Sequence, residues 1–497
     1  MSNIYDIAII GGGLGGLLSA AILSKEGFSV CLIEKNPQLG GCIQTFRRDG
    51  CIFNTGLNYT ESLEEGQTLY KYFKYFGLID KLKLRKLDTE GFEHIAFKDA
   101  EYRFAMGHDN FIETLSASFP ENRNDLTNYI NKLREVCTFF PLYSLDEGSP
   151  YLFDNEYHKT SASEFLNSIT SNKRLANVLA GSNMLYAGVE NKTPLFIHSL
   201  INYSFIDSAW RLVDGSRQLT TLLADNIKQN GGTIYNNCEV TRFVMSEGII
   251  SHVETNSHGE IRAKQYISNI HPAVTFNLID KEFKNKTYFK RIQELDNTMA
   301  MFTLYIVMKK DAFPYMNYNY YYYDQDNVWV AGEYDEKLWP QCYVFMTHAS
   351  SKSENFADSI SVITYMKYDE VKKWENSFVG NRGEDYETFK LEKAEKLLNL
   401  VEQKFPGFRS KIFKFYTSSP LTYRDYTGTV DGSAYGILKD AKEPLKSVIL
   451  PKTKIPNLFF TGQNINLHGI LGVTITSVLT SAEFTGLNYL MNKIRNV

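Results

Sequence analysis

The sequence predicts a mixed α/β fold: a buried parallel sheet with an attached β-meander and an inserted α+β region. Three observations carry that prediction. The opening stretch IYDIAIIGGGLGGLLSAAILSKEGFSVCLIEKN has the cadence strand, glycine turn, helix, strand. A second glycine loop, again leading into a helix-compatible apolar run, returns near the C-terminus in FFTGQNINLHGILGVTITS. Between them lie two long segments of different texture, the first helical in its spacing and the second rich in aromatic strands. At 497 residues the chain exceeds what one simple core organises.

Each element follows from its pattern. Ile7 to Ile10 form a continuous apolar run of the kind buried in a parallel sheet. Leu17, Leu18, Ala21 and Ile22 recur at helical spacing, and Gly27 suits a helix stop. FSVCLIE is the second buried strand, completing one Rossmann-like βαβ unit. From 61 to 209, GQTLYKYFKYFGL and LTNYINKLREVCTFF carry amphipathic spacing around short strands in EHIAFKDAEYRFAM. VDGSRQLTTLLADNIKQNGG reads as loop, helix, glycine stop, and the run from TIYNNCEV to YISNI reads as one meander of short strands. Aromatic strands fill 291 to 440 ahead of a helix at 384 to 404, and 457 to 497 reads as strand, glycine loop, long helix. The expected plan is one domain assembled from 1–60, 210–290 and 441–497, and a second from 61–209 and 291–440.

Composition narrows the function. The net charge of −4 and the lack of a long basic run argue against nucleic acid as partner. Phe, Tyr and Trp make up 14% of the chain, which suits a large core or a cavity for an extended apolar ligand. The tyrosines from Tyr318 to Tyr323 put alternate side chains on opposite strand faces, so half of them have the geometry to line such a cavity, but an aromatic sheet core is the favoured reading of the run. The six cysteines include no Cys-x-x-Cys pair, so neither a disulfide framework nor a zinc site is indicated and a reducing compartment is expected. The apolar N-terminus lacks a basic leader and carries Asp6, so it reads as mature structure. No apolar run reaches the ~18 residues of a membrane span. No residue set has metal-ligand spacing, and no Gly-x-Ser-x-Gly appears.

Gly11-x-Gly13-x-x-Gly16 follows a strand and opens a helix, the context that gives this motif meaning. Gly11 allows the tight turn, Gly13 lets a pyrophosphate approach the backbone, and Gly16 lets helix and strand pack closely. The helix N-terminus offers unpaired N–H groups to phosphate. Glu34 closes the second strand, where a carboxylate accepts from ribose hydroxyls, and its charge disfavours the 2′-phosphate of NADP. Gly40-Gly41, just beyond, suits backbone held close to the same ligand.

Together these residues resemble the FAD-binding opening of the phytoene desaturase, carotenoid isomerase and retinol saturase family. The likeness continues in GCIFNTGLNY (50–59), in VDGSRQLTTLLADNIKQNGGTIYNNCEVTRF, in Ser268-Asn269-Ile270-His271-Pro272, in TSSPLTYRDYTGTVDGSAYG (417–436) and in the C-terminal glycine loop. It implies FAD held in a two-domain, amine-oxidase-like fold. It also implies Val240 near the adenine, Gly462 near the phosphate and ribityl region, and a helix from about Gly472-Val473-Thr474 aimed at the flavin. A helix N-terminus there stabilises the anionic reduced ring. Leu14, Gly15, Lys35 and Gln463 join the expected cofactor set from the same loops.

The chain departs from the family at Asn54, where Asp is usual, and at His271, which also replaces an Asp. Cys42 stands where amine oxidases carry Arg, which argues against that branch. With one Gly-x-Gly-x-x-Gly, a separate NAD(P)H domain is absent, so electrons come from substrate, a partner donor or acceptor, or a redox-neutral cycle. His468, Asn58 and Tyr59 are the candidate catalytic residues; for His468 a loop-shaping role is the competing reading. The resemblance implies an FAD-dependent oxidoreductase acting on C–C double bonds of a carotenoid, retinoid or other polyene lipid, by desaturation, saturation or isomerisation. An amine-oxidase-type flavoenzyme on a smaller substrate and a non-catalytic lipid-binding or escort protein are the alternatives. A cytoplasmic location with peripheral contact on the inner membrane face goes with the leading reading.

Overall fold

The computed structural model describes residues 4–146, 148, 155–280 and 287–497. Five strands form an all-parallel sheet in the order Thr233–Tyr235, Val30–Ile33, Tyr5–Ile10, Ala263–Ser268, Leu458–Phe460. Ile7–Ile10 and Val30–Ile33 are buried throughout, as a parallel sheet covered on both faces requires. The helix Leu14–Lys25 is buried from Leu14 to Ser24, with helices Arg217–Gln229 and Gly469–Thr485 packed beside it. A helix enclosed on every side needs no polar face, which is why LGGLLSAAIL shows none.

The run from 233 to 268, expected as a single meander, divides in two. Val240–Ser246, Ile249–Thr255 and Gly259–Ile261 form an antiparallel three-stranded ribbon. The flanking strands Thr233–Tyr235 and Ala263–Ser268 enter the parallel sheet instead. Burial separates the two groups: Tyr266, Ile267 and Ser268 are wholly enclosed, whereas the ribbon leaves a polar face in water.

A second, seven-stranded sheet runs in the order Ile412–Ser418, Ala300–Met308, Ser359–Met366, Cys342–Thr347, Asn319–Tyr323, Glu93–Ala96, Glu101–Phe104. Only the junction of Asn319–Tyr323 with Glu93–Ala96 is parallel. The helix Glu384–Lys404, at the bounds its sequence predicts, closes one face, and helices from the 108–207 region close the other. The strand pleat splits the tyrosine run accordingly. Tyr320 and Tyr322 join the core under the long helix, and Tyr321 and Tyr323 face the helical insert. Arg211, 1% exposed, donates to Tyr315, Met316, Tyr318, Asn319 and Thr347, and so ties the short strand Ala209–Leu212 to this sheet. Among the described residues no helix is long and apolar enough to cross a membrane.

Candidate active site

A groove of about 300 Å³ opens along the carboxyl ends of the parallel strands. Gly11 (φ +97°) turns the chain out of the first strand, and its N–H donates to the Ile33 carbonyl at 2.8 Å. Gly13 is the helix N-cap without a side-chain cap, so the first-turn N–H groups face the groove. Gly40 (φ +119°) donates to the Gly12 carbonyl, which brings Gly41 against Gly13, where a Cβ would meet Gly13 Cα at 3.2 Å. Glu34 is 5% exposed; one carboxylate oxygen accepts from Gly12 N–H at 2.7 Å and the other from Asn36 N–H at 2.8 Å. Burial raises its pKa above the usual carboxylate value, against the opposing pull of those donors. The pocket is therefore a rigid backbone cradle with one fixed carboxyl.

Of the expected cofactor residues, Gly11, Gly13, Leu14, Gly15, Glu34, Lys35, Gly40, Gly41, Val240, Gln463 and Val473 line this groove. Gly16, Gly462 and Thr474 lie behind it. A Cβ on Gly16 would stand 2.1 Å from the Gly11 carbonyl oxygen, and one on Gly15 would meet Gly462 Cα at 2.8 Å. Thr474 is fully buried, with its hydroxyl returned to the Ile470 carbonyl at 2.7 Å. Asn269, which no expectation assigned to the site, is the wedge between the two glycine loops. Its Nδ2 donates to the Gly11 carbonyl at 3.1 Å while its amide packs on Gly13, Gly15 and Gly462. The departures are absorbed neutrally. Asn54 accepts from Ser216 N–H at 2.9 Å, and His271 Nδ1 takes an Asp's capping role by accepting from Ala273 N–H at 3.2 Å.

The C-terminal helix corrects one expectation. It begins at Gly469, not near Gly472, because Gly469 (φ +77°) turns the chain straight after the extended His468. Gly472 packs against Leu467 and lines a second cavity. The helix end is also less bare than expected: buried Glu61 accepts from Leu471 N–H at 3.2 Å. Behind the loop, Lys439 donates to the carbonyls of Ser447, Asn464 and Ile465, and burial pushes its amine down to about 7. Asn464 Oδ1 accepts from Ile437 N–H at 3.2 Å, so this amide shapes the loop while its residue also lines the groove.

The second cavity, about 130 Å³, shares the walls Gly56, Leu57, Met301, Tyr435, Gly469 and Ile470 with the groove. Beyond those shared residues its lining is largely apolar, with Leu200, Phe205, Val344, Met346 and Ile363 among others. His468, Asn58 and Tyr59 all line it, brought together from opposite ends of the chain. His468 Nε2 donates to the Leu185 carbonyl at 3.1 Å, its ring stacks on Tyr435 at 4.2 Å, and burial pushes its pKa down to about 4. It is thus a neutral imidazole at pH 7. Asn58 Oδ1 is buried without a hydrogen-bond partner, and its residue lines both this cavity and a smaller one beside Asn54 and Asp214. Tyr59 donates to Glu93 at 2.5 Å and lies 2.6 Å from the hydroxyl of Tyr321, the member of the tyrosine run that lines this cavity. Glu61 and Glu93 carry no motif: either reads in the sequence as an ordinary strand carboxylate, and only their burial marks them.

Comparison with known proteins follows this geometry. A family model described as an NAD(P)-binding Rossmann-like domain matches residues 9–76. Human all-trans-retinol 13,14-reductase is 25% identical, with 99% of this chain and 87% of that protein covered. A chloroplastic prolycopene isomerase from an Oncidium hybrid cultivar is 22% identical over 96% of this chain and 83% of its own length. Wild-type putrescine oxidase, solved with putrescine bound, matches the fold with a TM-score of 0.65 at 15% identity, covering 98% of this chain and all of that one, 100%. The α/β architecture and the resemblance drawn from the motifs are both borne out.

Proposed function

From its kinship with the retinol saturases and carotenoid isomerases, we propose that this protein is an FAD-dependent oxidoreductase acting on carbon–carbon double bonds of an extended apolar molecule. The observation that carries the reading is the shared wall: a groove suited to a dinucleotide and a largely apolar, aromatic-lined cavity have Gly56, Leu57, Met301, Tyr435, Gly469 and Ile470 in common. The residues present fit FAD. The Gly13–Gly41 contact leaves backbone free for a pyrophosphate, the capless helix end favours its charge, and Glu34 offers a carboxylate to ribose hydroxyls. Bound there, a flavin supplies two-electron chemistry to a C–C unit.

The chain's own contribution is positioning and exclusion of water. Leu200, Phe205, Val344 and Ile363 provide a dry slot for a polyene or retinoid. Asn58 Oδ1 is placed to accept from a hydroxyl on such a ligand, and His468, held neutral, keeps the loop and Tyr435 in register. In this reading 1–60, 210–290 and 441–497 hold the cofactor, and 61–209 with 291–440 hold the substrate. An electron donor or acceptor completes the cycle. A cytoplasmic protein in peripheral contact with a membrane suits a substrate that dissolves in bilayers, and flotation with liposomes at low salt tests that contact. The central test is purification followed by incubation with a panel of polyenes and retinoids. Retained flavin and altered double bonds are expected, while a colourless protein that refuses added FAD overturns the proposal.

A further inference from the structure

We propose that Glu93 is the proton store of this site, and that Tyr59 and Tyr321 carry its proton to and from a ligand carbon in the second cavity. The inference rests on the oxidoreductase reading above and assigns the acid–base chemistry that the neutral His468 does not supply.

The geometry is a file of three oxygens. Glu93 Oε1 stands 2.5 Å from the Tyr59 hydroxyl, which stands 2.6 Å from the Tyr321 hydroxyl. Both phenols line the cavity, and the carboxyl lies behind them, 1% exposed. Each element comes from a different part of the chain. Glu93 opens its strand, Tyr321 sits on the strand paired parallel to it, and Tyr59 precedes the short strand Thr60–Glu61. Phe205 packs on the Tyr59 ring at 4.7 Å and holds it in line.

A structural role accounts poorly for a carboxyl here. Among the described residues Glu93 has no ion-pair partner, and an uncompensated buried carboxylate is costly. Glutamine would satisfy the same phenols without that cost. The groups facing Glu93 are Tyr59 and Tyr321 in contact and Tyr129, Tyr186 and Tyr323 further off, with no lysine, arginine or histidine among the influences on it. Glu61 is the buried carboxyl that lines the cavity itself, and it is occupied at the helix end. Burial raises the Glu93 carboxyl to about 7, so it holds or yields a proton at physiological pH. A buried tyrosine alone is too weak an acid, since burial drives Tyr59 and Tyr321 well above 10; each passes a proton on only as it receives one from the carboxyl behind.

Saturating one double bond adds a hydride to one carbon, from a two-electron carrier in the neighbouring groove, and a proton to the other. With Glu93 in its acid form the file points toward the cavity, Glu93 donating to Tyr59 and Tyr59 to Tyr321; the proton leaves Tyr321, which is refilled from Tyr59, and Tyr59 from Glu93, leaving a carboxylate that Tyr59 then donates to. Water entering after product release restores the acid along the same file. Desaturation runs the file backwards and requires Glu93 as carboxylate. Protonation of substrate therefore fades as pH rises through about 7, and proton removal grows over the same range.

The test uses the FAD-loaded protein, photoreduced and mixed with all-trans-retinol or an acyclic carotene in single turnover. Glu93→Gln is expected to slow flavin reoxidation by roughly 100-fold or more, the scale of general acid catalysis. It should also abolish the inflection near pH 7 while leaving the flavin spectrum unaltered and the protein cooperatively folded. Tyr321→Phe should give the same loss but keep the carboxyl. Infrared titration of the protein without cofactor separates the two: burial raises Asp207 to about 7 as well, so the protonated-carboxyl absorption titrating near pH 7 should be equal in wild type and Tyr321→Phe and fall by the Glu93 share in Glu93→Gln. Reoxidation that Glu93→Gln leaves within about threefold of wild type, against the ~100-fold scale, or an infrared titration that Glu93→Gln leaves unchanged, overturns the relay alone. Failure of wild type to act on either polyene overturns the functional reading, and the relay with it.

Discussion

The glycine groove and the apolar cavity share a wall yet are built by opposite means. The groove is backbone: three tight turns, a helix end and one carboxyl, with side chains kept out by contacts such as Gly16 against the Gly11 carbonyl. The cavity is side chain: Tyr59, Tyr321, Phe205 and His468 arrive from four elements and are held by packing and single hydrogen bonds. A backbone cradle tolerates almost no added atom, whereas a side-chain cavity can be retuned residue by residue. The difference predicts that mutations in the first act on folding and cofactor retention, and those in the second on rate and pH dependence.

The largest effect expected is Gly16→Ala. Its Cβ would lie 2.1 Å from a backbone oxygen that cannot move aside, so the cost falls at or beyond the upper end of the ~1–3 kcal/mol typical of overpacking. Thermal unfolding and the ratio of flavin to protein absorbance should both fall sharply; a flavin-replete variant would break the contrast. Next comes stability against pH. The Glu93 carboxyl is protonated more readily folded than unfolded, so its contribution is full below about 4.5 and is lost as pH rises towards about 7. Wild type should lose on the order of 3 kcal/mol of stability across that window from this group, as an upper figure. Denaturant titrations at pH 5 and 8 check it, and Glu93→Gln should remove that share of the slope, leaving the part due to Asp207 and Lys439, which also titrate near 7.

Smaller is Glu34→Gln, which exchanges a charge-assisted acceptor for a neutral one at Gly12 N–H and at the ribose edge. A loss of about 1.5–3 kcal/mol in FAD affinity is expected by fluorescence titration. An unchanged affinity would move the ribose away from Glu34. The smallest is His468→Asn. Because burial holds this imidazole neutral above about 4, the pH profile between pH 5 and 9 should keep its shape, with turnover falling only a few-fold as the Leu185 contact and the Tyr435 stack are lost. Loss of a limb from that profile would return His468 to the chemistry and weaken the Glu93 assignment.

How far the site can be read from the chain follows the same division. Gly11, Gly13, Glu34 and Gly40-Gly41 announce themselves because a pyrophosphate cradle needs positive φ and close backbone approach within a short span. The C-terminal loop was readable too, though its helix starts a turn earlier than Gly472 because Gly469 does the turning. Asn269 was visible only as part of a family motif, and its wedge role appears once Gly15 and Gly462 are seen to touch. The meander pattern does not show that Thr233–Tyr235 and Ala263–Ser268 leave it for the parallel sheet, since strand pairing depends on partners far along the chain.

The sequence by itself determined the α/β plan, the dinucleotide turn with its carboxylate, and the long helix Glu384–Lys404, because each rests on local periodicity or on conformations glycine alone adopts freely. The tertiary structure decided what the aromatic residues are for. Tyr321 faces a cavity while Tyr320 fills a core; a parallel strand pair sets Glu93 beside the strand of Tyr321, and Tyr59, with Phe205 packed on its ring, meets the carboxyl at 2.5 Å. Burial, not residue type, makes that carboxyl chemically distinct, and burial is a property of the folded whole.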